Sequence, residues 1–81
     1  MCAVCKLQQS PIIQQLSDQF AGRVKVEQYD VSTYPEVAER FRVLTLPTTV
    51  LLDAAGRPAQ INYGLATRDR LEGQLAPLLQ G

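Results

Sequence analysis

Residues 2–5 read Cys2-Ala3-Val4-Cys5, and this run holds the two cysteines of the sequence. The sequence has no histidine, and a zinc site usually needs four ligands, so metal binding would require a second chain or added carboxylates. A disulfide across so short a loop would stabilise the chain by about 2 kcal/mol and restrain a single turn. The spacing favours a redox-active pair. A metal-binding dimer and two unrelated thiols stay open as alternatives.

The spacing of the two cysteines suits thiol–disulfide exchange. One thiolate attacks a disulfide, and a second thiol must lie close enough to displace the product. Two intervening residues allow both sulfurs to lie in the first turn of a helix, where unpaired N–H groups and the helix dipole favour negative charge. Cys2, nearer the helix start, is the expected nucleophile, and Cys5 the resolving thiol. Lys6 either adds positive charge beside the pair or is a solvated helix residue.

The composition indicates one soluble globular domain over residues 1–81. Apolar residues make up 46% and charged residues 20% of the sequence, an ordinary balance for such a domain. Eight basic and eight acidic residues cancel, which argues against a nucleic-acid partner or an anionic membrane surface. No apolar run approaches the roughly 20 residues that a membrane span needs. We therefore expect neither nucleic acid nor membrane among the partners.

The first half of the sequence predicts a helix, a strand and a second helix. Residues 5–20 carry a helical repeat, in which Pro11 is expected to kink or split the helix. Residues 24–29 alternate between apolar and polar side chains as a strand does. Thr33 and Glu36 fit a capping box for a short second helix. The apolar positions of the first helix are Ile12, Ile13, Leu16 and Phe20.

The second half predicts a hairpin followed by a helix. Residues 48–52 are apolar and β-branched, and Pro47 stands at the start of this strand, where proline is tolerated. Residues 59–63 are the expected returning strand, and Gly64 indicates a bulge or a close approach of two backbones. Thr67 is a candidate cap for the last helix. The apolar positions of that helix are Leu71, Leu75, Leu78 and Leu79.

Taken together, these motifs and their order resemble the thioredoxin family over essentially the whole chain. The positions that carry the resemblance are Cys2, Cys5, Lys6, Pro11, Asp30, Pro47, Thr48, Gly56 and Gly64. The resemblance implies an α/β fold in the order α-β-α-β-β-α, with a three-stranded mixed sheet flanked by helices. It also implies that Cys2 is the nucleophile, that Cys5 resolves, and that Pro47 is a cis-proline packed beside them. The residues expected to line the substrate groove are then Ala3, Val4, Thr45 and Leu46.

The chain departs from the family pattern in three ways. Ala3 and Val4 replace the usual Gly-Pro between the cysteines, and one extra residue lies between Cys5 and Pro11. The family's first strand, first helix and central strand have no counterpart, so we expect an N-terminally truncated domain. The buried acidic group and the tryptophan that precede the first cysteine in the family cannot be assigned either.

Without a central strand, the sheet edges are uncovered, which predicts self-association. Three explanations of the missing segment are open. The sequence starts inside a longer protein, a partner chain supplies the missing strand, or the strands rearrange into a three-stranded sheet.

The resemblance implies a thiol–disulfide oxidoreductase that reduces protein disulfides and takes electrons from a reductase or another dithiol protein. Neither an organic cofactor nor a metal is expected, and the expected location is cytoplasmic. A periplasmic or secreted location applies if a signal precedes the sequence. The alternatives are a binding, scaffold or redox-sensing module without turnover, and a disulfide-relay domain of an exported protein.

Overall fold

The computed structural model describes residues 2–80, so Met1 and Gly81, the two end residues of the expected domain, lie outside the described part. Within residues 2–80, three α-helices and one two-stranded sheet follow a short π-helical segment. In chain order these are the π-helical segment Cys5–Gln9, α1 Ser10–Gln19, α2 Pro35–Arg40, β1 Thr48–Leu52, β2 Pro58–Tyr63 and α3 Arg68–Leu78. No helix within residues 2–80 has the length and apolar character needed to cross a membrane.

The predicted first helix changes its type in the turn before Pro11. Residues Cys5–Gln9 are π-helical, and the Ser10 N–H donates to the Cys5 carbonyl five residues earlier. From Ser10 onward the helix is α-helical, with Pro11 in its first turn. Gln9, which precedes this α-helix, has helical φ and ψ, so Pro11 lies inside a continuous helical stretch, where a proline removes one backbone hydrogen bond. The helix ends before Gly22, whose φ of 81° an L side chain rarely adopts.

The hairpin forms as its sequence predicts. β1 and β2 pair antiparallel, with Thr48 opposite Tyr63 and Val50 opposite Ile61. The register is irregular between Leu51 and Leu52, so a bulge at Gly64 is not what interrupts the pairing. Gly64 instead makes a close backbone approach, because its N–H donates to the Pro47 carbonyl at 2.8 Å.

The core lies where α1, α3 and one face of the hairpin meet. Its buried apolar residues are Leu16, Leu51, Ala66 and Leu71, with Ile12, Ile13, Phe20, Leu75 and Leu78 packed around them. The apolar positions predicted for the two helices therefore face this core, except Leu79, which follows the end of α3. Burying a leucine stabilises a fold by about 1.5–3 kcal/mol. The Thr67 hydroxyl caps α3 by accepting the Arg70 N–H at 3.2 Å.

The predicted three-stranded sheet is wrong, since the sheet in the described part of the chain has two strands. Residues 24–29 carry no regular secondary structure. A cleft of about 890 Å³ is lined both by residues 24–29 and by β1. Strands pair only when they lie about 4.8 Å apart. The alternating pattern of 24–29 therefore finds no neighbour to pair with, and the observed order is α-α-β-β-α.

The predicted capping box of the second helix is also wrong. α2 begins at Pro35 after Tyr34, and no side chain caps it. Proline is suited to the first helical position because its φ is preset for a helix and it has no N–H to satisfy. Pro35 therefore sets the start of α2, and Thr33 lies in the turn before it, with its N–H donating to the Asp30 carbonyl.

Candidate functional site

The two cysteines form a disulfide at the start of the first helix. Their Cα atoms are 5.2 Å apart, and both side chains are half-buried. The Cys5 N–H donates to the Cys2 Sγ at 3.2 Å. The Lys6 N–H donates to the Cys2 carbonyl at 3.2 Å. The sulfur of Cys2 thus lies at the end of a helix where backbone donors favour negative charge.

A turn before β1 forms a second part of the site. The Leu46–Pro47 peptide bond is cis, and Pro47 is buried. The Thr48 hydroxyl donates to the Thr45 carbonyl at 2.6 Å, which closes the turn. The Pro47 carbonyl accepts the Gly64 N–H, so hydrogen bonds hold this turn from both sides.

A cavity of about 580 Å³ lies beside the disulfide. Its lining residues are Cys2, Cys5, Lys6, Ser10, Gln28, Tyr29, Asp30, Val31, Ser32 and Leu46. Four of the expected site residues, Cys2, Cys5, Lys6 and Leu46, therefore share one cavity.

Four other expected site residues, Ala3, Val4, Thr45 and Pro47, do not line this cavity. Pro47 lines the neighbouring cleft together with Cys5 and Leu46. Val4 is 38% exposed and Leu46 is 46% exposed. These two side chains leave apolar surface accessible to a partner.

Of residues 28–32, which also line this cavity, the family resemblance includes Asp30 alone and assigns it no role. Ser32 donates to the Asp30 carboxylate from its hydroxyl at 2.6 Å and from its N–H at 2.9 Å. These bonds, the hydroxyl first, hold the pKa of Asp30 below its ordinary value. Asp30 therefore presents a fixed negative charge to the cavity. The run Asp30-Val31-Ser32 was a detectable signal, because aspartate often accepts bonds from a backbone two residues on.

Tyr29 contributes a neutral phenol to the same cavity. Its O–H donates to the Glu27 carboxylate at 2.6 Å. This hydrogen bond raises the pKa of Tyr29 and lowers the pKa of Glu27. At neutral pH the phenol is therefore protonated and the carboxylate ionised. This segment is joined to α1 by the Ser10 hydroxyl, which donates to the Gln28 amide oxygen at 3.3 Å.

The buried polar side chains of residues 2–80 are Gln9 and Asn62, both neutral amides. No group of three or more cysteine or acidic side chains in this part of the chain is arranged to hold a metal ion. The arrangement that remains is chemically simple. It consists of two cysteines three positions apart whose sulfurs are bonded, and a backbone N–H directed at the Cys2 sulfur. Beside them lies a cavity lined by one basic side chain, Lys6, and one acidic side chain, Asp30.

Comparison with known proteins gives consistent matches. The family model described as thioredoxin matches residues 1–76. Thioredoxin of Alicyclobacillus acidocaldarius is 30% identical over 79 residues, which cover 98% of this chain and 73% of that protein. Thioredoxin C-2 of Corynebacterium nephridii is 30% identical over 70 residues, covering 86% of this chain and 63% of that protein. The bifunctional thioredoxin reductase/thioredoxin of Mycobacterium leprae is 30% identical over 59 residues, 73% of this chain and 12% of that protein.

Proposed function

The chain belongs to the thioredoxin family, and from this membership we propose that it reduces protein disulfides through Cys2 and Cys5. Family and cysteine pair together support thiol–disulfide oxidoreductase chemistry in general. The observation that carries the assignment of roles is the hydrogen bond from the Cys5 N–H to the Cys2 Sγ at 3.2 Å. It directs a backbone donor at the sulfur that must be negative in order to attack.

In the first step, the reduced Cys2 thiolate attacks one sulfur of a substrate disulfide. A bond forms between Cys2 and that sulfur, and the substrate disulfide breaks. The second substrate sulfur leaves as a thiolate and takes a proton from solvent. The Cys5 N–H remains directed at the Cys2 sulfur, so the helix start holds the attacking atom in place.

In the second step, the Cys5 thiol loses its proton to solvent, and the resulting thiolate attacks the Cys2 sulfur of the mixed disulfide. The Cys2–Cys5 disulfide forms, and the first substrate sulfur leaves as a thiolate, so two electrons have passed to the substrate. A dithiol protein or a reductase then returns two electrons to the pair. One relative is named bifunctional thioredoxin reductase/thioredoxin, which supports a reductase as the donor. The reaction uses no bound metal or organic cofactor.

The substrate would lie across the exposed apolar surface beside the disulfide. Val4 and Leu46 leave apolar area accessible, and Leu46 and Pro47 border the cleft that Cys5 also lines. In the proposal, the backbone next to Pro47 receives an extended substrate segment, and Thr45 and Leu46 line its groove, adjacent to Ala3 and Val4. Lys6, on the cavity wall, adds positive charge near the sulfurs, which favours thiolates.

Turnover of insulin disulfides with dithiothreitol as electron donor tests the proposal. We expect Cys2→Ser to abolish turnover, because no other thiol in the chain can attack from the helix start. Cys5→Ser is the matched control, since it retains the nucleophile and should accumulate a mixed disulfide detectable by mass spectrometry. Undiminished insulin reduction by Cys2→Ser would refute the role of Cys2. Partner binding that survives both substitutions, without turnover in the unsubstituted chain, would instead indicate a binding module.

The direction of electron flow has its own measurement. A reduction potential near about −270 mV would support a reductase, and one near about −120 mV an oxidant. The proposed reducing direction fits a cytoplasmic location, where thiols are kept reduced. An oxidising potential would favour a disulfide relay in an exported protein instead.

A further inference from the structure

A π-helical turn separates Cys5 from Pro11. It closes with a bond from the Ser10 N–H to the Cys5 carbonyl, which spans one residue more than an α-helical turn. The spacing between Cys5 and Pro11 is one residue longer than in the family pattern, and the wide turn absorbs this residue. Single π turns inside helices are frequent at functional sites. The last residue of this turn, Gln9, is 5% exposed and is its one buried side chain.

The Gln9 amide bonds the backbone of one distant residue twice. Its Nε2 donates to the Ala66 carbonyl at 3.1 Å, and its Oε1 accepts the Ala66 N–H at 2.8 Å. Ala66 is itself buried, so one side chain satisfies both polar groups of its backbone. A buried donor or acceptor left without a partner costs about 1–3 kcal/mol. Gln9 and Ala66 are therefore strongly held together, although 57 residues separate them.

The loop that contains Ala66 also reaches the turn at Pro47. Two residues before Ala66, the Gly64 N–H donates to the Pro47 carbonyl at 2.8 Å. The loop thus bonds the π turn on one side and the cis-proline turn on the other. Leu46, next to Pro47, lines the same cavity as Cys5. Hydrogen bonds through Gln9 therefore connect the two parts of the site.

We infer that Gln9 is a positioning residue for the redox pair, holding the π turn so that Cys5 stays within reach of Cys2. This inference rests on the proposed function. In the dithiol and mixed-disulfide states no covalent bond holds the two sulfurs together. The effective concentration of Cys5 at Cys2 then depends on how firmly the turn is held. Loosening the turn lowers that concentration, so the Cys2–Cys5 disulfide forms less readily and the mixed disulfide resolves more slowly.

The chain contains a matched control for Gln9. Asn62 of β2 is also 5% exposed and also forms a reciprocal amide pair. Its Nδ2 donates to the Gln74 Oε1 at 2.8 Å, and the Gln74 Nε2 donates back at 3.0 Å. This pair joins β2 to α3 and includes no residue of the helix that carries the cysteines. Gln9→Leu removes two buried hydrogen bonds. Asn62→Leu removes the two bonds to Gln74 and a longer one, at 3.5 Å, from the Asn62 Nδ2 to the Thr49 carbonyl, but only Gln9→Leu loosens the π turn.

The decisive measurement is the thiol–disulfide equilibrium with glutathione at pH 7, read by alkylation of free thiols and mass spectrometry of the full chain. For Gln9→Leu we expect a shift of about tenfold toward the dithiol, equal to about 30 mV for a two-electron couple. For Asn62→Leu we expect less than a twofold change, even where both variants unfold at similar denaturant concentrations. Equal shifts in the two variants would overturn the inference, as would an unchanged equilibrium in Gln9→Leu.

Gln9→Glu covers the case in which Gln9→Leu does not fold. An ionised glutamate still accepts the Ala66 N–H but cannot donate to the Ala66 carbonyl. We expect a shift toward the dithiol that is smaller than tenfold, and a wild-type equilibrium in folded Gln9→Glu would refute the positioning role. The glutathione equilibrium does not depend on whether proteins are substrates. Failure of insulin reduction would therefore refute the proposed function without deciding the role of Gln9.

Discussion

Two parts of the chain differ sharply in how much apolar surface they bury. The part built from α1, the hairpin and α3, called the core part, contains the buried apolar residues. No residue from 21 to 46 is buried, although this segment includes α2. Within residues 2–80, one hydrogen bond of long sequence separation ties that segment to the remainder, between Ser10 and Gln28. The difference shows that an alternating pattern such as that of residues 24–29 forms a strand only when a neighbouring strand is in reach, whereas a helix as short as α2 closes its own backbone hydrogen bonds.

The catalytic candidates lie where the core part meets residues 21–46. The disulfide borders a cavity that Leu46 and residues 28–32 of this segment also line. The disulfide is connected through Gln9 and Ala66 to the core part. We expect the core part to hold the sulfurs and residues 28–32 to be the more easily deformed side of the cavity.

The largest expected effect comes from removing a core side chain. Leu71 is 1% exposed, and Leu71→Ala should lower the free energy of unfolding by about 2–5 kcal/mol because it leaves a cavity. Val37 of α2 is only half-buried, and Val37→Ala should cost about 1 kcal/mol or less. Guanidinium chloride unfolding of both variants measures the difference. Similar losses would mean that residues 21–46 belong to the same cooperative core.

An intermediate effect is expected at the uncovered edge of β1. β1 pairs with β2 on one side, and its other edge presents backbone groups that a second chain can bond. Leu52→Lys should weaken self-association of the chain by about tenfold, which is about 1.4 kcal/mol. Sedimentation equilibrium over a range of concentrations measures this change.

Leu65→Lys is the control for this edge prediction. Leu52 and Leu65 are both 43% exposed, but Leu65 lies in the loop after β2. The two substitutions therefore remove similar apolar surface, and only the first places a charge on a strand. If both weaken association equally, exposed apolar area rather than the strand edge is the cause. A wild-type chain that stays monomeric at high concentration would refute the prediction.

The smallest expected effect concerns acid stability at two aspartates. The Arg57 N–H, together with the Ala55 N–H and the Arg57 side chain, lowers the pKa of Asp53 in the hairpin turn below its ordinary value. A lowered folded pKa stabilises the fold above the unfolded pKa, and this contribution is lost as pH falls through the folded value. Asp53→Asn should therefore flatten the fall in Tm between about pH 5 and pH 2. The change should be smaller than that caused by Val37→Ala.

Asp30→Asn is the matched substitution in the segment 21–46, which has no buried residue. The pKa of Asp30 is also lowered, by the hydroxyl and N–H of Ser32. Because its turn lies among residues that are not buried, it can open without unfolding the core. We expect Asp30→Asn to leave the pH dependence of Tm unchanged. An equal effect of the two substitutions would mean that residues 21–46 and the core part unfold as one unit.

Much of the local structure could be predicted from short stretches of sequence. The hairpin, the Thr67 cap and the apolar faces of α1 and α3 follow from patterns within a few residues. The strand predicted at 24–29 failed, because alternation describes one face of a strand and says nothing about a neighbour. The cap predicted at Thr33 failed because Pro35 was the stronger local signal for a helix start.

The site divides along the same line. The roles assigned to Cys2 and Cys5 rest on their spacing, and the structure places them in one helical turn. The extra residue before Pro11 was visible in the sequence, but its consequence was not. Nothing local indicates that Gln9 is buried, since a glutamine in a helix usually faces solvent.

The sequence by itself determined the chemistry available to this protein, two thiols one turn apart in a chain without histidine, and most of its regular elements. Only the tertiary structure decided that Gln9 bonds Ala66, that Tyr29 and Asp30 line the same cavity as the sulfurs, and that no strand within residues 2–80 pairs with residues 24–29. The reason is physical. Helical turns and caps depend on residues about four positions apart or fewer, whereas these contacts depend on how distant segments pack.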